Sequence, residues 1–330
     1  MATFGVLGAT SWGLTLGALL ERNGHHVVVL VRNADEAERV GSERGIARLP
    51  EVRLSESARV LVATEPAAID GLIVAVPSQS VRTTVEGCAV TRTVPVLSAA
   101  KGLERGTNLR MTEVLGACGW EPGQTAAISG PNLAHEIAKG LPAAAVVAST
   151  PVGVSAFWQT ALSGSMFRVY TSGDTVGVEL AGALKNVVAI AAGAARGLNF
   201  GDNTVASLMT RGLAEMTRLG VALGADPLTF QGLAGVGDLA ATCFSDQSRN
   251  SRFGALLAQG FSSAESLAKI GESVEGAETA AVAVELALKH GVELPIAVEV
   301  AAVVAGERSV AEAMARLLTR RLTGEATSRG

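Results

Sequence analysis

Seven short apolar runs punctuate the first half of this 330-residue chain. They are Thr3–Leu7, His26–Val31, Leu72–Val76, Val94–Ser98, Thr125–Ser129, Ala143–Ala148 and Phe167–Tyr170. Most lack the apolar–polar alternation of a sheet with one wet face. A strand that is apolar on both faces must be covered on both, and helices flanking a parallel sheet are the usual cover. Between the first two runs, Trp12–Asn23 reads as a helix closed by Gly24. Repetition of that unit predicts an α/β fold with a mostly parallel, doubly wound sheet. After about Ser172 the strand pattern stops. Helical segments follow, separated by Gly-rich turns: Val176–Arg196, Asn203–Leu223, Pro227–Leu233, Ser251–Gln259, Ser263–Ile270, Gly276–His290, Pro295–Ala305 and Ser309–Thr319. The pattern changes between residues 172 and 185. We expect an α/β domain over 1–175 and an all-α C-terminal domain over 176–330.

Composition removes several classes. With 31 acidic against 27 basic residues the net charge is −4, which leaves no overall basic balance for nucleic acid. Three cysteines, Cys88, Cys118 and Cys243, are odd in number and widely spaced, so we expect a reducing, cytoplasmic setting. The four histidines show no metal-ligand spacing, and no metal site is expected. No basic, cleavable leader precedes Thr3, and the apolar run Val187–Ala195 is too short to span a bilayer. No integral membrane segment is therefore expected. The long Ala-rich helical faces suggest a homodimer.

The turn after the first strand is Gly8-Ala9-Thr10-Ser11-Trp12-Gly13. Dinucleotide-binding folds place Gly-x-Gly-x-x-Gly here, to make the turn, admit the diphosphate and pack the helix on the strand. Gly8 and Gly13 occupy the first and third positions; Thr10 stands at the second. The N-terminal domain is thus expected to be Rossmann-like, with the diphosphate at the helix N-terminus. At the end of the second strand stands Arg32, where a carboxylate would bind the ribose diol of NAD. A guanidinium suits a 2′-phosphate, so NADP(H) is expected to be preferred, with NAD(H) possible.

The segment Gly235–Asn250 gathers two Asp, two Ser, Thr, Gln, Arg and Asn in an otherwise apolar protein. Buried polar groups need partners. Arg249, flanked by Ser248 and Asn250, offers forked donors and neutral donors suited to a small phosphorylated ligand. Upstream, Lys185 lies within the apolar run Val178–Ala195. Burial disfavours its ammonium, and a second cation would do so further, which suits a general acid or base.

With these segments together, the chain resembles the bacterial NAD(P)-dependent sn-glycerol-3-phosphate dehydrogenases. The matching runs are Gly8–Gly13, Val76–Ser78, Ala100–Glu104, Ile128–Ala134, Phe167–Tyr170, Gly182–Asn186, Thr210–Met216 and Gly235–Asn250, in the family order. They cover nearly the whole chain, and their combination is specific where each alone is not. The resemblance implies a Rossmann-like domain followed by an all-helical one. It also implies interconversion of dihydroxyacetone phosphate and sn-glycerol 3-phosphate, feeding glycerophospholipid synthesis. Lys185 matches the family's catalytic lysine, and Lys101 the lysine touching substrate and cofactor. Gly130, Asn132, Asp238, Ser248, Arg249 and Asn250 fall on substrate-contact positions. Ser11, Trp12, Arg32, Ala134, Arg249 and Glu275 fall on cofactor-contact positions, beside the turn glycines Gly8 and Gly13. Two departures are Thr10 and the Ala99-Ala100 pair before Lys101, commonly hydroxyl-bearing at its second position. Two other readings compete: a two-domain hydroxy-acid dehydrogenase, which would need a carboxylate clamp, and a catalytically silent nucleotide-binding paralogue, which Thr10 alone favours.

Overall fold

The computed structural model describes residues 1–320. Eight strands form one sheet in the order β3-β2-β1-β4-β5-β6-β7-β8. They are β1 (Thr3–Leu7), β2 (His26–Val31), β3 (Arg59–Val62), β4 (Gly71–Val74), β5 (Val96–Ser98), β6 (Thr125–Ser129), β7 (Ala143–Ala148) and β8 (Phe167–Ser172). Every pairing is parallel except β6–β7. The central strands are buried on both faces, as their continuous apolar runs require. Six helices flank the sheet: α1 (Ser11–Arg22), α2 (Ala34–Glu43), α3 (Val81–Glu86), α4 (Met111–Ala117), α5 (Ala134–Ala138) and α6 (Val152–Leu162).

The sequence reading missed β3. It is four residues long, lies at the sheet edge and carries an exposed Arg59, so its apolar signal is short and diluted. The ladder of β5 starts at Val96 rather than Val94, because Pro95 has no N–H to donate.

Among the described residues, eight further α-helices follow: α7 (Thr175–Gly197), α8 (Asp202–Ala222), α9 (Asp238–Phe244), α10 (Arg249–Ala258), α11 (Ser263–Ile270), α12 (Glu275–His290), α13 (Pro295–Val304) and α14 (Val310–Leu318). A π-helical turn, Leu233–Gly237, precedes α9. The sequence reading places no helix between Leu233 and Ser251; the chain instead continues into α9, so Asp238 opens a helix.

Helix α7 is the axis of this half. Residues Gly177–Ala195 are all buried, and α8, α10 and α12 surround them. Alanine and glycine make that enclosure possible. A Cβ on Gly193 would collide with the Ser251 carbonyl, and one on Gly254 with the Ile190 carbonyl, so α7 and α10 cross with backbones in contact. Among the described residues, α7 alone is long and apolar enough to cross a membrane, being longer than the run Val187–Ala195. Nearly all of its apolar window (94%) is inside the protein.

Candidate active site

A cleft of about 610 Å³ opens between the carboxyl ends of the strands and helices α7, α9, α10 and α12. One wall is the turn after β1. Gly8 adopts φ +108°, and a Cβ there would lie 2.7 Å from Val76 Cγ1. Thr10 is the N-cap of α1. Its Oγ1 accepts from Gly13 N at 3.0 Å and donates to the Ala75 carbonyl at 2.8 Å. The threonine that departs from the fingerprint thus holds the turn to the end of β4. Ser11 and Trp12 follow on the cleft surface. The first turn of α1 carries no acidic side chain, so its positive N-terminus faces the cleft uncompensated.

The floor is one carboxylate held by two ammonium groups. Asp238, on the first turn of α9, is 2% exposed. Lys101, from the loop after β5, donates to its Oδ2 at 2.6 Å and to the Gly130 carbonyl at 2.9 Å. Lys185, from the middle of α7, donates to Oδ1 at 3.0 Å and to Thr242 Oγ1 at 2.6 Å. An ammonium has three donors, so each lysine keeps one N–H beyond these contacts. Burial works against ionising Asp238, but Lys101 and Lys185 outweigh it and hold its pKa below the usual carboxylate range. Burial lowers Lys101 to about 8, and Lys185 beside it acts in the same sense, against the opposing pull of Asp238. The nearby Cys243 thiol is pushed by burial up to about 12, which removes it as a nucleophile.

Amide side chains tie this floor to the helices around it. Asn186 donates to the Lys101 carbonyl at 3.0 Å and accepts from Asn250 at 2.9 Å. Asn250 in turn accepts from Gly276 N at 2.9 Å. The chain Lys101–Asn186–Asn250–Gly276 therefore links the loop after β5 with α7, α10 and α12. Asn250 lines the cleft, but much of its amide is occupied in this linkage.

On the helical wall, Ser248 caps α10 through Ser251 N at 3.2 Å, and Arg249 opens that helix. The Arg249 guanidinium is half-exposed and lies 3.4 Å from Glu272. Glu275, at the start of α12, lines the cleft and reaches across it. It accepts from Ser78 N at 3.0 Å and from the Ser78 hydroxyl. Burial raises its pKa against those two hydrogen bonds.

Among the described residues, two that line the cleft present buried polar atoms without a hydrogen-bond partner, Trp12 Nε1 and Asn132 Oδ1. Asn132 uses its Nδ2 on the Ala144 carbonyl at 3.0 Å. Such atoms are costly without a partner. With the α1 N-terminus and Arg249, they suit a polar, anionic ligand such as a dinucleotide. Ala134, at the start of α5, completes this side of the cleft.

Among the predicted residues, Gly8, Gly13, Gly130 and the buried Asp238 lie behind the cleft's lining residues, and Arg32 is not brought to the cleft. It is 77% exposed at the end of β2 and pairs with Glu36 at 3.0 Å. That pairing was open to inspection, because Glu36 lies four residues on in the first turn of α2. Sequence reasoning missed Thr242, Ser78, Arg48 and Glu272. Thr242 lies one helical turn after Asp238 and so shares its face, a signal usable only once α9 is known to be a helix.

Two family profiles cover the chain. The N-terminal part of the NAD-dependent glycerol-3-phosphate dehydrogenases matches residues 3–154, and the C-terminal part matches residues 174–315. The chain belongs to this family. It is 45% identical over 323 residues to the glycerol-3-phosphate dehydrogenase [NAD(P)+] of Halorhodospira halophila, covering 97% of each chain. It is 41% identical over 319 residues to the enzyme of the same name from Thermoanaerobacter, covering 96% of each. The crystal structure of glycerol-3-phosphate dehydrogenase from Coxiella burnetii superposes with a TM-score of 0.90 at 35% identity, over 97% of this chain and 99% of that one. D-mandelate dehydrogenase has the same fold at 12% identity and a TM-score of 0.64, which bears on fold alone.

Proposed function

We propose that this protein interconverts dihydroxyacetone phosphate and sn-glycerol 3-phosphate, using NADP(H) or NAD(H), with Lys185 as general acid and base. The observation that carries the reading is the Lys101–Asp238–Lys185 triad on the cleft floor. A nicotinamide bound in this cleft supplies the hydride. The protein must then neutralise the negative charge that develops on the ketone oxygen.

Lys185 and Lys101 each keep an N–H for that oxygen. Lys185 gives up its proton to the nascent alkoxide and recovers one in the opposite direction. Lys101 stabilises the same charge, and its pKa of about 8 lets it hold a proton at neutral pH while remaining able to release it. Asp238 positions both ammonium groups, and Thr242 fixes the second donor of Lys185. Gly130 shapes the loop that receives Lys101, and Asn132 offers an acceptor to the substrate hydroxyl. Arg249 grips the phosphate, with Ser248 and Asn250 beside it. Binding energy from the phosphate, remote from the reacting carbon, orients the ketone. Gly8, Ser11, Trp12, Gly13, Ala134 and Glu275 shape the dinucleotide side.

The test is NADPH oxidation on titration with dihydroxyacetone phosphate, with NADH and with unphosphorylated dihydroxyacetone in parallel. Turnover should require the phosphate. Lys185→Ala should lower kcat by several orders of magnitude while NADPH still binds. Near-normal kcat in that variant removes Lys185 from the chemistry, and equal turnover of the unphosphorylated ketone removes Arg249 as a phosphate anchor. The reading extends to a homodimer in the cytoplasm. Three cysteines that are all free suit a reducing setting, and a molar mass measured by light scattering tests the dimer.

A further inference from the structure

Three charged side chains meet at the cleft opening: Arg249, the phosphate anchor proposed above and also a cofactor-contact position by the family resemblance, and two residues with no part in the chemistry above, Glu272 and Arg48. Glu272 lies in the short connection between α11 and α12, and Arg48 in the segment between α2 and β3. Glu272 Oε2 is 3.4 Å from Arg249 Nη1 and 3.8 Å from Arg48 Nε. Arg48 also donates to the Ala9 carbonyl, at 3.4 Å, within the turn that follows β1. All three line the cleft and are 31–46% exposed. One carboxylate therefore sits between two guanidinium groups, one from each wall, directly over the turn.

These contacts are long and partly solvated, so each contributes little to stability. A diphosphate offers several oxygens at geometries that a guanidinium engages in a forked, charge-assisted manner. The turn that Arg48 touches is also the one whose helix N-terminus favours an anion. Thr10 cannot assist, because its hydroxyl is already bonded to Gly13 N and the Ala75 carbonyl.

We propose that Glu272 is an exchangeable placeholder: its carboxylate and the cofactor's diphosphate compete for Arg48 and Arg249. Arg48 is then a cofactor-binding residue of this chain, and Glu272 sets how tightly the dinucleotide is held. The site is the one assigned above, so the inference rests on the dinucleotide reading of the cleft. The diphosphate is common to NADH and NADPH, so the exchange must act on both cofactors alike.

The experiment measures Kd for NADH and NADPH by fluorescence titration of the purified full-length protein and of Arg48→Ala, Glu272→Gln and the double variant. Thermal unfolding of each checks that it is folded. Arg48→Ala should weaken both cofactors by about ten- to hundredfold. Glu272→Gln should tighten both severalfold, and that gain should shrink in the Arg48→Ala background. A gain undiminished in the double variant would mean that Glu272 merely repels the ligand, and overturns the exchange. An effect of Arg48→Ala confined to NADPH would assign the guanidinium to the 2′-phosphate and overturn it too. Failure of the wild-type protein to bind either cofactor removes the dinucleotide reading itself. Wild-type binding with unchanged variants removes only the inference.

Discussion

Asp238→Asn replaces one oxygen and one charge on the cleft floor, and its consequences can be worked from the distances. Two ammonium groups lie 2.6 and 3.0 Å from the carboxylate. At an effective dielectric of about 20, each contact is worth about 6 kcal/mol before desolvation. Burying the three charges offsets most of that. The measurable cost of removing one partner from such a buried arrangement is about 3–5 kcal/mol. The isosteric amide leaves two like charges facing each other without a counter-ion, so the next response is loss of a proton. Asp238 raises the Lys101 pKa against burial; without it, Lys101 must fall further below its present value of about 8. The alkaline limb of dihydroxyacetone phosphate reduction should therefore lie near pH 8 in the wild type, as a property of the coupled pair. In the variant it should move to lower pH, and kcat should fall by orders of magnitude. Denaturant unfolding and a pH–rate profile are the assays. Adding Lys101→Met to Asp238→Asn should restore part of the lost stability but none of the activity, because it removes one of the two uncompensated charges. An Asp238→Asn protein with unaltered stability and an unmoved alkaline limb would refute the electrostatic account of the floor.

Three further predictions concern the scaffold. Glu215 is buried on α8 and accepts from Ile296 N at 2.9 Å at the start of α13; burial raises its pKa from 4.5 to about 7. A raised folded pKa stabilises below pH 4.5 and is lost as pH rises through about 7. Glu215→Gln should therefore remove about 1–3 kcal/mol of pH dependence between those limits, seen as a wild-type-minus-variant stability difference that falls by that amount as pH rises from about 4.5 through about 7. Thr10→Ala deletes both bonds of the α1 cap and should cost about 1–2 kcal/mol in denaturant unfolding, an unchanged midpoint counting against the capping role. Gly254→Ala drives a Cβ into the Ile190 carbonyl and should cost about 3 kcal/mol or more, or give insoluble protein. A soluble variant with wild-type Tm would mean that α7 and α10 can separate freely.

Particular residues show where the sequence was legible. Strands β1, β2, β4 and β6 announce themselves because burial on both faces leaves continuous apolar runs, and that pattern survives without knowledge of their neighbours. β3 stays hidden because an edge strand with exposed Arg59 needs only one dry face. Helix α9 was hidden for a different reason. Its polar residues, Asp238 and Thr242, give no local helix signal, and their helical spacing has meaning only when Lys185 lies opposite. The same limit governs Arg32 and Arg48. A guanidinium at the end of β2 stands at the expected sequence position, yet it turns to Glu36; one in an unremarked segment sixteen residues later faces the cleft. Position along the chain indicates which residue types are available, whereas ion-pair competition decides which of them points inward.

That competition also explains why the chemistry collects where the two halves of the chain meet. A sheet end alone offers turns and helix N-termini, which favour anions but supply no proton. A helical core alone cannot bury Lys185 without a counter-charge. The meeting surface resolves both problems, because Asp238 from α9 gives a lysine from each side a shared counter-charge. Glu275 on Ser78 and Asn186 on the Lys101 carbonyl then hold the halves in register. The buried charges of Lys101, Asp238 and Lys185 are thus also contacts that close the cleft. A substitution on its floor should register in stability and in rate together, whereas one at Arg48 or Glu272, on its open and solvated rim, should register in cofactor affinity with little effect on unfolding.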